Sequence, residues 1–152
     1  MTAAKASAEA LVAQFTIVIS IPVQWGDQDA FGHVNNTIYL RWFESARIVY
    51  LERIGMMDLH EAENVGPILA SAACDYRRPV TYPDTVLVGA RVTRIGRSSF
   101  GMEHAAASQQ QGVIAAEGKS TLVVFDYHKE KSHPIPQALR QAIETLEGRA
   151  FH

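Results

Sequence analysis

Cysteine is almost missing from this chain. Cys74 is the only one in 152 residues, so no disulfide can form within the chain, and a cytoplasmic protein is the default expectation. Positive charge never accumulates. Fourteen Lys and Arg stand against sixteen Asp and Glu, a formal charge of −2. No basic run exceeds two residues, so the electrostatic footprint of a nucleic-acid partner is lacking. No apolar run is long enough to cross a bilayer. Ala10 to Ile21 leans apolar, but Gln14, Thr16 and Ser20 interrupt it, and Pro22 and Trp25 stand where a small-residue cleavage site would follow. Neither a signal peptide nor a membrane partner is expected. The chain also has no nucleophilic serine elbow, phosphate-cradling glycine loop or dinucleotide fingerprint. Its histidines are scattered, without a His-x-x-x-His pair or a second cysteine, so no metal site is expected.

What is present describes one ordinary globular domain. The apolar fraction is 47% and the charged fraction 20%, and the length suffices for a real core. Residues 1–14 read as a frayed arm or short helix, and residues 15–152 as a single domain. Phe15 to Gln24 is β-branched and predicts a first strand. From Thr37 the spacing becomes helical: Tyr39, Trp42, Phe43, Ala46, Val49 and Tyr50 recur at three- and four-residue steps, and Gly55 offers a C-cap. Ile38, Leu40, Ile48 and Leu51 widen the apolar stripe, which predicts a helix contacted on more than one side. After Gly66-Pro67 the pattern alternates through four strands, ending near Phe125, and Gln137 to Leu146 forms a short amphipathic tail. One strand, one buried helix and four meandering strands make an α+β fold, with an antiparallel sheet covering the helix. Helix and sheet of this size do not seal each other fully, so dimerisation through the sheet is expected.

The turn between the first strand and the helix carries more chemistry than a turn requires. Asp27, Asp29, His33, Asn35 and Asn36 fall within ten residues. Asp29 is placed to act as a general base or nucleophile, or to bond a backbone N–H in an Asx turn. Asp27 suits the turn role better. His33 suits a supporting acid–base role or a structural hydrogen bond. Asn35 and Asn36 stand where an N-cap is wanted. The N–H groups behind such a cap point outward and can polarise a carbonyl. Two basic stretches, Arg77-Arg78 and the Arg94, Arg97, Ser98, Ser99 turn, read either as solvated turns or as phosphate contacts. Cys74, inside a strand, reads as a small buried residue.

These residues resemble a known family. The run Trp25 to Asn36, followed by Tyr39 and by Glu44-Ser45-Ala46-Arg47, is similar to the hotdog-fold acyl-CoA thioesterases. The similarity is greatest to their 4-hydroxybenzoyl-CoA thioesterase-like branch. It continues through Asp75-Tyr76-Arg77-Arg78-Pro79-Val80 and Val92 to Phe100, covering roughly residues 15 to 145. The resemblance implies a five-stranded antiparallel sheet wrapped around one long central helix. It also implies homodimers, often paired into tetramers, with active sites at the dimer interface. Asp29 falls on the catalytic carboxylate, and the helix start near Asn36 falls where a backbone N–H polarises the thioester carbonyl. His33 falls where related acyl-carrier-protein thioesterases keep a catalytic His, though their accompanying Asn is Phe31 here. Arg97, Ser98 and Ser99 fall where members touch coenzyme A phosphates. Tyr39, Trp42 and Phe43 are candidates to line an apolar acyl tunnel.

Acyl-CoA hydrolysis is thus the leading expectation, with coenzyme A as part of the substrate and no cofactor or metal; an acyl carrier protein is the alternative carrier. A hotdog hydratase or dehydratase is a rival, although such enzymes typically space their Asp and His by four residues and here three intervene. A non-catalytic acyl-thioester-binding protein is the third reading. Nothing in the sequence fixes the acyl group.

Overall fold

The computed structural model describes residues 7–152; the first six residues of the expected arm lie outside them. Residues 7 to 15 take the short-helix reading. The α1 helix (Ala8–Leu11) starts at Ser7, whose Oγ accepts from the Ala10 N–H at 3.2 Å. Ala8, Val12 and Phe15 are buried against Leu87, Ala105 and Ala107, on the outer face of the sheet.

The sheet comprises β1 (Ile17–Pro22), β2 (Val65–Tyr76), β3 (Thr85–Ile95), β4 (Ser99–Ser108) and β5 (Val113–Asp126). All neighbours are antiparallel, in the order β1-β3-β4-β5-β2. A two-residue strand absent from the sequence reading, β6 (Lys131–Ser132), pairs with Phe125 and Asp126 beyond the point where β4 begins. One row across the sheet runs Ile19, Val88, Ala106, Ala116, Tyr76.

The concave face holds α2 (Asn36–Arg53). Its buried side chains are Tyr39, Trp42, Phe43, Ala46, Arg47, Tyr50 and Leu51, a face with the 3.6-residue period of an amphipathic helix. Two small residues permit the approach. Ala46 is fully buried, and a Cβ on Gly118 would stand 2.6 Å from the Phe43 ring. Arg47 is the exception on this face, a cation that is only 6% exposed. Within one chain the helix is contacted on that side only. Leu40 (40%) and Ile48 (39%) stay exposed, because the sheet stops at β2. Ile68 and Leu69, on that edge strand, are exposed as well.

The helix ends as its sequence requires, with Gly55 at φ +86° in the left-handed region that favours glycine. Gly55 also opens α3 (Met56–Glu63). That helix is not legible in the sequence, since only Met56 is buried and no apolar stripe marks it. The tail becomes α4 (Gln137–Glu147), with Leu139 and Ile143 buried. Its last residue binds three elements together. Glu147 Oε2 accepts from the Tyr50 hydroxyl at 2.6 Å, the Val92 N–H at 2.9 Å and the Thr16 hydroxyl at 3.0 Å. Burial, then the Glu147 carboxylate, pushes the Tyr50 hydroxyl well above the usual tyrosine range. Among the described residues no helix is long and apolar enough to cross a membrane.

Replacing Glu147 by Ala leaves the Tyr50 hydroxyl buried without an acceptor and removes the carboxylate that the Val92 N–H donates to. A urea melt should show a loss of about 3 kcal/mol with an unchanged m-value; a loss below about 0.5 kcal/mol would mean that water replaces the carboxylate.

Candidate active site

The chain runs from β1 into α2 through a loop paired to itself and to its surroundings. The Val23 N–H donates to the Asp84 carbonyl at 2.9 Å and the Val34 N–H to the Val80 carbonyl at 2.8 Å. Gln28 and Val34 form a lone bridge. Inside it, the Asp29 N–H donates to the His33 carbonyl at 2.9 Å and the Gly32 N–H to the Asp29 carbonyl at 3.0 Å. Gly32 sits at φ +84°, a conformation that makes glycine the favoured residue in this tight turn. Asp27 holds the loop: its carboxylate accepts from the Gln24 N–H at 2.8 Å and its carbonyl from the Asn35 N–H at 2.8 Å.

Asp29 does not have to choose between turn and site. Its Oδ1 accepts from the Phe31 N–H at 2.9 Å, which is the Asx turn. Its Oδ2 meets the Asn35 side-chain amide at a long 3.4 Å. That amide group works at both ends, because Asn35 Oδ1 also caps α2, accepting from the Thr37 N–H at 3.0 Å and the Thr37 hydroxyl at 2.7 Å. The Ile38 N–H is taken by the Asn35 carbonyl at 3.0 Å. The Asn36 N–H is left without an acceptor among the described residues. A half-buried carboxylate is therefore held beside an open donor at a helix N-terminus, where the helix dipole favours negative charge.

Asp29, His33, Asn36 and Tyr39 line one cleft of about 410 Å³, together with Tyr76 and Arg78. The Tyr76 hydroxyl donates to the Asn36 carbonyl at 2.9 Å, and its ring meets Tyr39 edge-on, centroids 5.1 Å apart. Tyr76 and Arg78 thus form the wall facing α2; the sequence assigns Tyr76 no role and reads Arg78 only as part of a solvated turn or a phosphate contact. The Asn35–Asp29 contact was likewise not legible, since a cap and a carboxylate-holder look alike as a single Asn. His33 is exposed, and no hydrogen bond joins its imidazole to Asp29 among the described residues.

The other candidates lie elsewhere. Trp42 is in the core, tilted against Tyr39 at 4.8 Å. Phe43 stacks on His104 with centroids 5.3 Å apart and lines a second cavity one turn further along α2. The Arg97-Ser98-Ser99 turn stands at the far end of the sheet. Ser99 pairs with Val123, which pairs with Ile68, eight residues along β2 from Tyr76, or roughly 25 Å. Its backbone is clamped there: the Ser98 carbonyl accepts from the Val124 N–H at 2.8 Å and the Arg97 carbonyl from the Ile135 N–H at 2.9 Å. One chain does not bring that turn to the cleft. Burial pushes the Cys74 thiol up, which keeps it protonated and unlike a nucleophile. No group of three or more His, Cys, Asp or Glu converges on a metal position among the described residues.

A family model described as the thioesterase-like superfamily matches residues 23–143. The chain belongs to the thioesterase-like superfamily. This superfamily member is 25% identical over 118 residues to the long-chain acyl-CoA thioesterase FadM of Escherichia coli, a match covering 78% of this chain and 89% of FadM. A thioesterase from Thermus thermophilus, solved in complex with coenzyme A and Zn, is 37% identical with a TM-score of 0.80. That match covers 91% of this chain and 98% of the other. A thioesterase-superfamily structure from Jannaschia sp. CCS1 gives 27% identity and a TM-score of 0.83, covering 100% of this chain and 99% of the other. The curled sheet around α2 is the hotdog fold, and the protein is a thioester hydrolase.

The double role of Asn35 can be separated by substitution. Asn35→Asp keeps an acceptor for the Thr37 N–H but loses the donor to Asp29. It should melt within about 0.5 kcal/mol of the parent while thioester hydrolysis falls roughly 10- to 100-fold. Asn35→Ala should lose both, costing about 1 kcal/mol of stability in the same melt.

Proposed function

We propose that the protein hydrolyses acyl-CoA thioesters, with Asp29 as the reacting carboxylate and the Asn36 N–H as the oxyanion donor. One observation carries this reading: a carboxylate oriented by Phe31 and Asn35 shares a cleft with the open first-turn N–H of α2. With the thioester carbonyl oxygen on that N–H, Asp29 either attacks the carbonyl carbon directly or takes the proton of a water that does. Both routes pass through a tetrahedral centre whose oxyanion is stabilised by the donor and the helix dipole. The centre then collapses and expels the coenzyme A thiolate, a good leaving group. After direct attack this leaves an acyl–Asp29 anhydride, which a water hydrolyses to the free acid and the regenerated carboxylate. His33, exposed on the cleft, serves the leaving-group side. In a single turnover in ¹⁸O-labelled water, label in Asp29 establishes direct attack, because it enters only when water attacks the aspartyl carbon of the anhydride.

The working unit is a homodimer joined through β2, with pairing of dimers into a tetramer as the further step. The support is a twelve-residue edge strand lying open beside exposed Ile68, Leu69, Leu40 and Ile48, an arrangement that invites pairing. Antiparallel pairing of β2 with a second copy runs the Val65 end of one strand beside the Tyr76 end of the other. That carries the second copy's β3–β4 turn to the end of the joined sheet where the cleft opens, so Arg97, Ser98 and Ser99 meet the coenzyme A phosphates there. The names of FadM and of the coenzyme A-bound relative favour coenzyme A over an acyl carrier protein.

A thiol-release assay over a panel of acyl-CoA substrates tests the reaction. Asp29→Ala should lower kcat by about 10²–10⁴-fold, and an unchanged rate would remove Asp29 from the chemistry. Arg97→Ala should raise KM with little change in kcat, because a remote phosphate contact binds ground and transition states alike. A KM equal to that of the parent would release the turn from coenzyme A binding.

A further inference from the structure

One turn further along α2 than the cleft, a separate cavity of about 240 Å³ lies between α2 and β2. Leu40, Leu69 and Ala72 give it aliphatic walls, but charged and polar side chains share the lining, which a purely apolar acyl tunnel would not have. Arg47 reaches it from the buried face of α2, 6% exposed, and no acceptor hydrogen-bonds its guanidinium among the described residues. Burial disfavours the Arg47 charge, and Glu44, one turn earlier, offsets that only in part. Glu44 forms no ion pair with Arg47; the ion pairs among the described residues are Arg77–Glu117 and Arg91–Glu103. The floor is polar too. His104 and Ser120 are both buried and joined by a 3.0 Å hydrogen bond between Nε2 and Oγ, with the His104 ring stacked on Phe43. Burial, then the Arg47 charge, holds His104 down at about 4, so at neutral pH it adds no second charge. Arg41 and Lys119 also line the space, so three cations face one carboxylate, Glu44.

A guanidinium on a largely buried side chain, with no protein acceptor and open only to this cavity, has a bidentate carboxylate as its best complement. Position favours the same ligand. Phe43 and Arg47 lie seven and eleven residues along α2 from Asn36, on the order of 10 to 16 Å at 1.5 Å per residue. Helical side chains lean back toward the N-terminus, which brings the guanidinium nearer the cleft. We propose that this cavity receives the far end of the acyl group and that Arg47 selects chains ending in a carboxylate, the mono-thioesters of medium-length dicarboxylic acids. This rests on the hydrolase reading for its chemistry but not for its binding. A chain ending in a methyl group desolvates Arg47 and returns nothing, the situation in which a site built for a polar group rejects the analogue lacking it.

Suberoyl-CoA and octanoyl-CoA have the same carbon count and differ in the terminal group. The parent should hydrolyse suberoyl-CoA with at least a ~10-fold higher kcat/KM, and free suberate should raise its Tm more than octanoate does. Arg47→Met should abolish both preferences, and Arg47→Lys should restore part of them; circular dichroism melts establish that each variant is folded. Equal treatment of the two ligands by the parent, or a preference that survives Arg47→Met, would overturn the proposal. So would loss of the dimer in Arg47→Met alongside an indifferent parent, since Arg47 would then be pairing two copies of the chain. Selective binding of suberate with no thiol release from either substrate would support the cavity's assignment and remove the hydrolase reading instead.

Discussion

Burial of one face of α2 in the curl of the sheet is the contact on which the other features depend. It fixes the helix so that its N-terminus emerges at the Tyr76 end of β2 and its far end meets α4. Ala46 and Gly118 set how closely the helix can lie, and the Glu147 carboxylate fastens Tyr50 on the helix to Val92 on β3. With the helix axis fixed, the direction of its dipole and of its first free N–H is fixed too. The placing of that open N–H in the cleft is therefore inherited from core packing.

The loop from β1 adds the carboxylate, and it does so with groups that look purely structural. Asp27 closes the loop, Gly32 allows its turn, and Asn35 caps the helix while touching Asp29. The helix cap and the partner of the Asp29 carboxylate are thus one side chain. Such coupling lets a loop hold a reactive group with the rigidity of the helix it precedes.

Much of this was legible in the sequence. The 3.6-residue spacing of Tyr39, Trp42, Phe43, Ala46 and Tyr50 located α2, and the alternation from Val86 onward located the meander. Asp29 and Asn36 could be singled out because polar groups crowd where an ordinary turn needs few. What could not be read depended on distance across the sheet. Tyr76 and Arg78 enter the cleft only because β2 pairs with β5 at the far edge. Trp42 reads like a tunnel residue, but the rotation of α2 turns it into the core. Arg97 reads like a phosphate ligand, and the sequence does not show that within one chain its turn lies at the end of the strands opposite the cleft. Arg47 lay in the quoted motif, and its burial without an acceptor appears only in three dimensions.

The exposed edge of β2 and the exposed Leu40 and Ile48 on α2 leave one chain unfinished on the side where the acyl group would lie. The central claim is that the thioester carbonyl sits between the Asp29 carboxylate and the Asn36 N–H. Its most direct test is a crystal structure of the protein with a non-hydrolysable ketone analogue of an acyl-CoA. The account predicts the carbonyl oxygen within hydrogen-bond reach of the Asn36 N–H and the carbonyl carbon about 3 to 3.5 Å from an Asp29 oxygen. A carbonyl bound away from the start of α2, with Asp29 still tied only to Phe31 and Asn35, would contradict it.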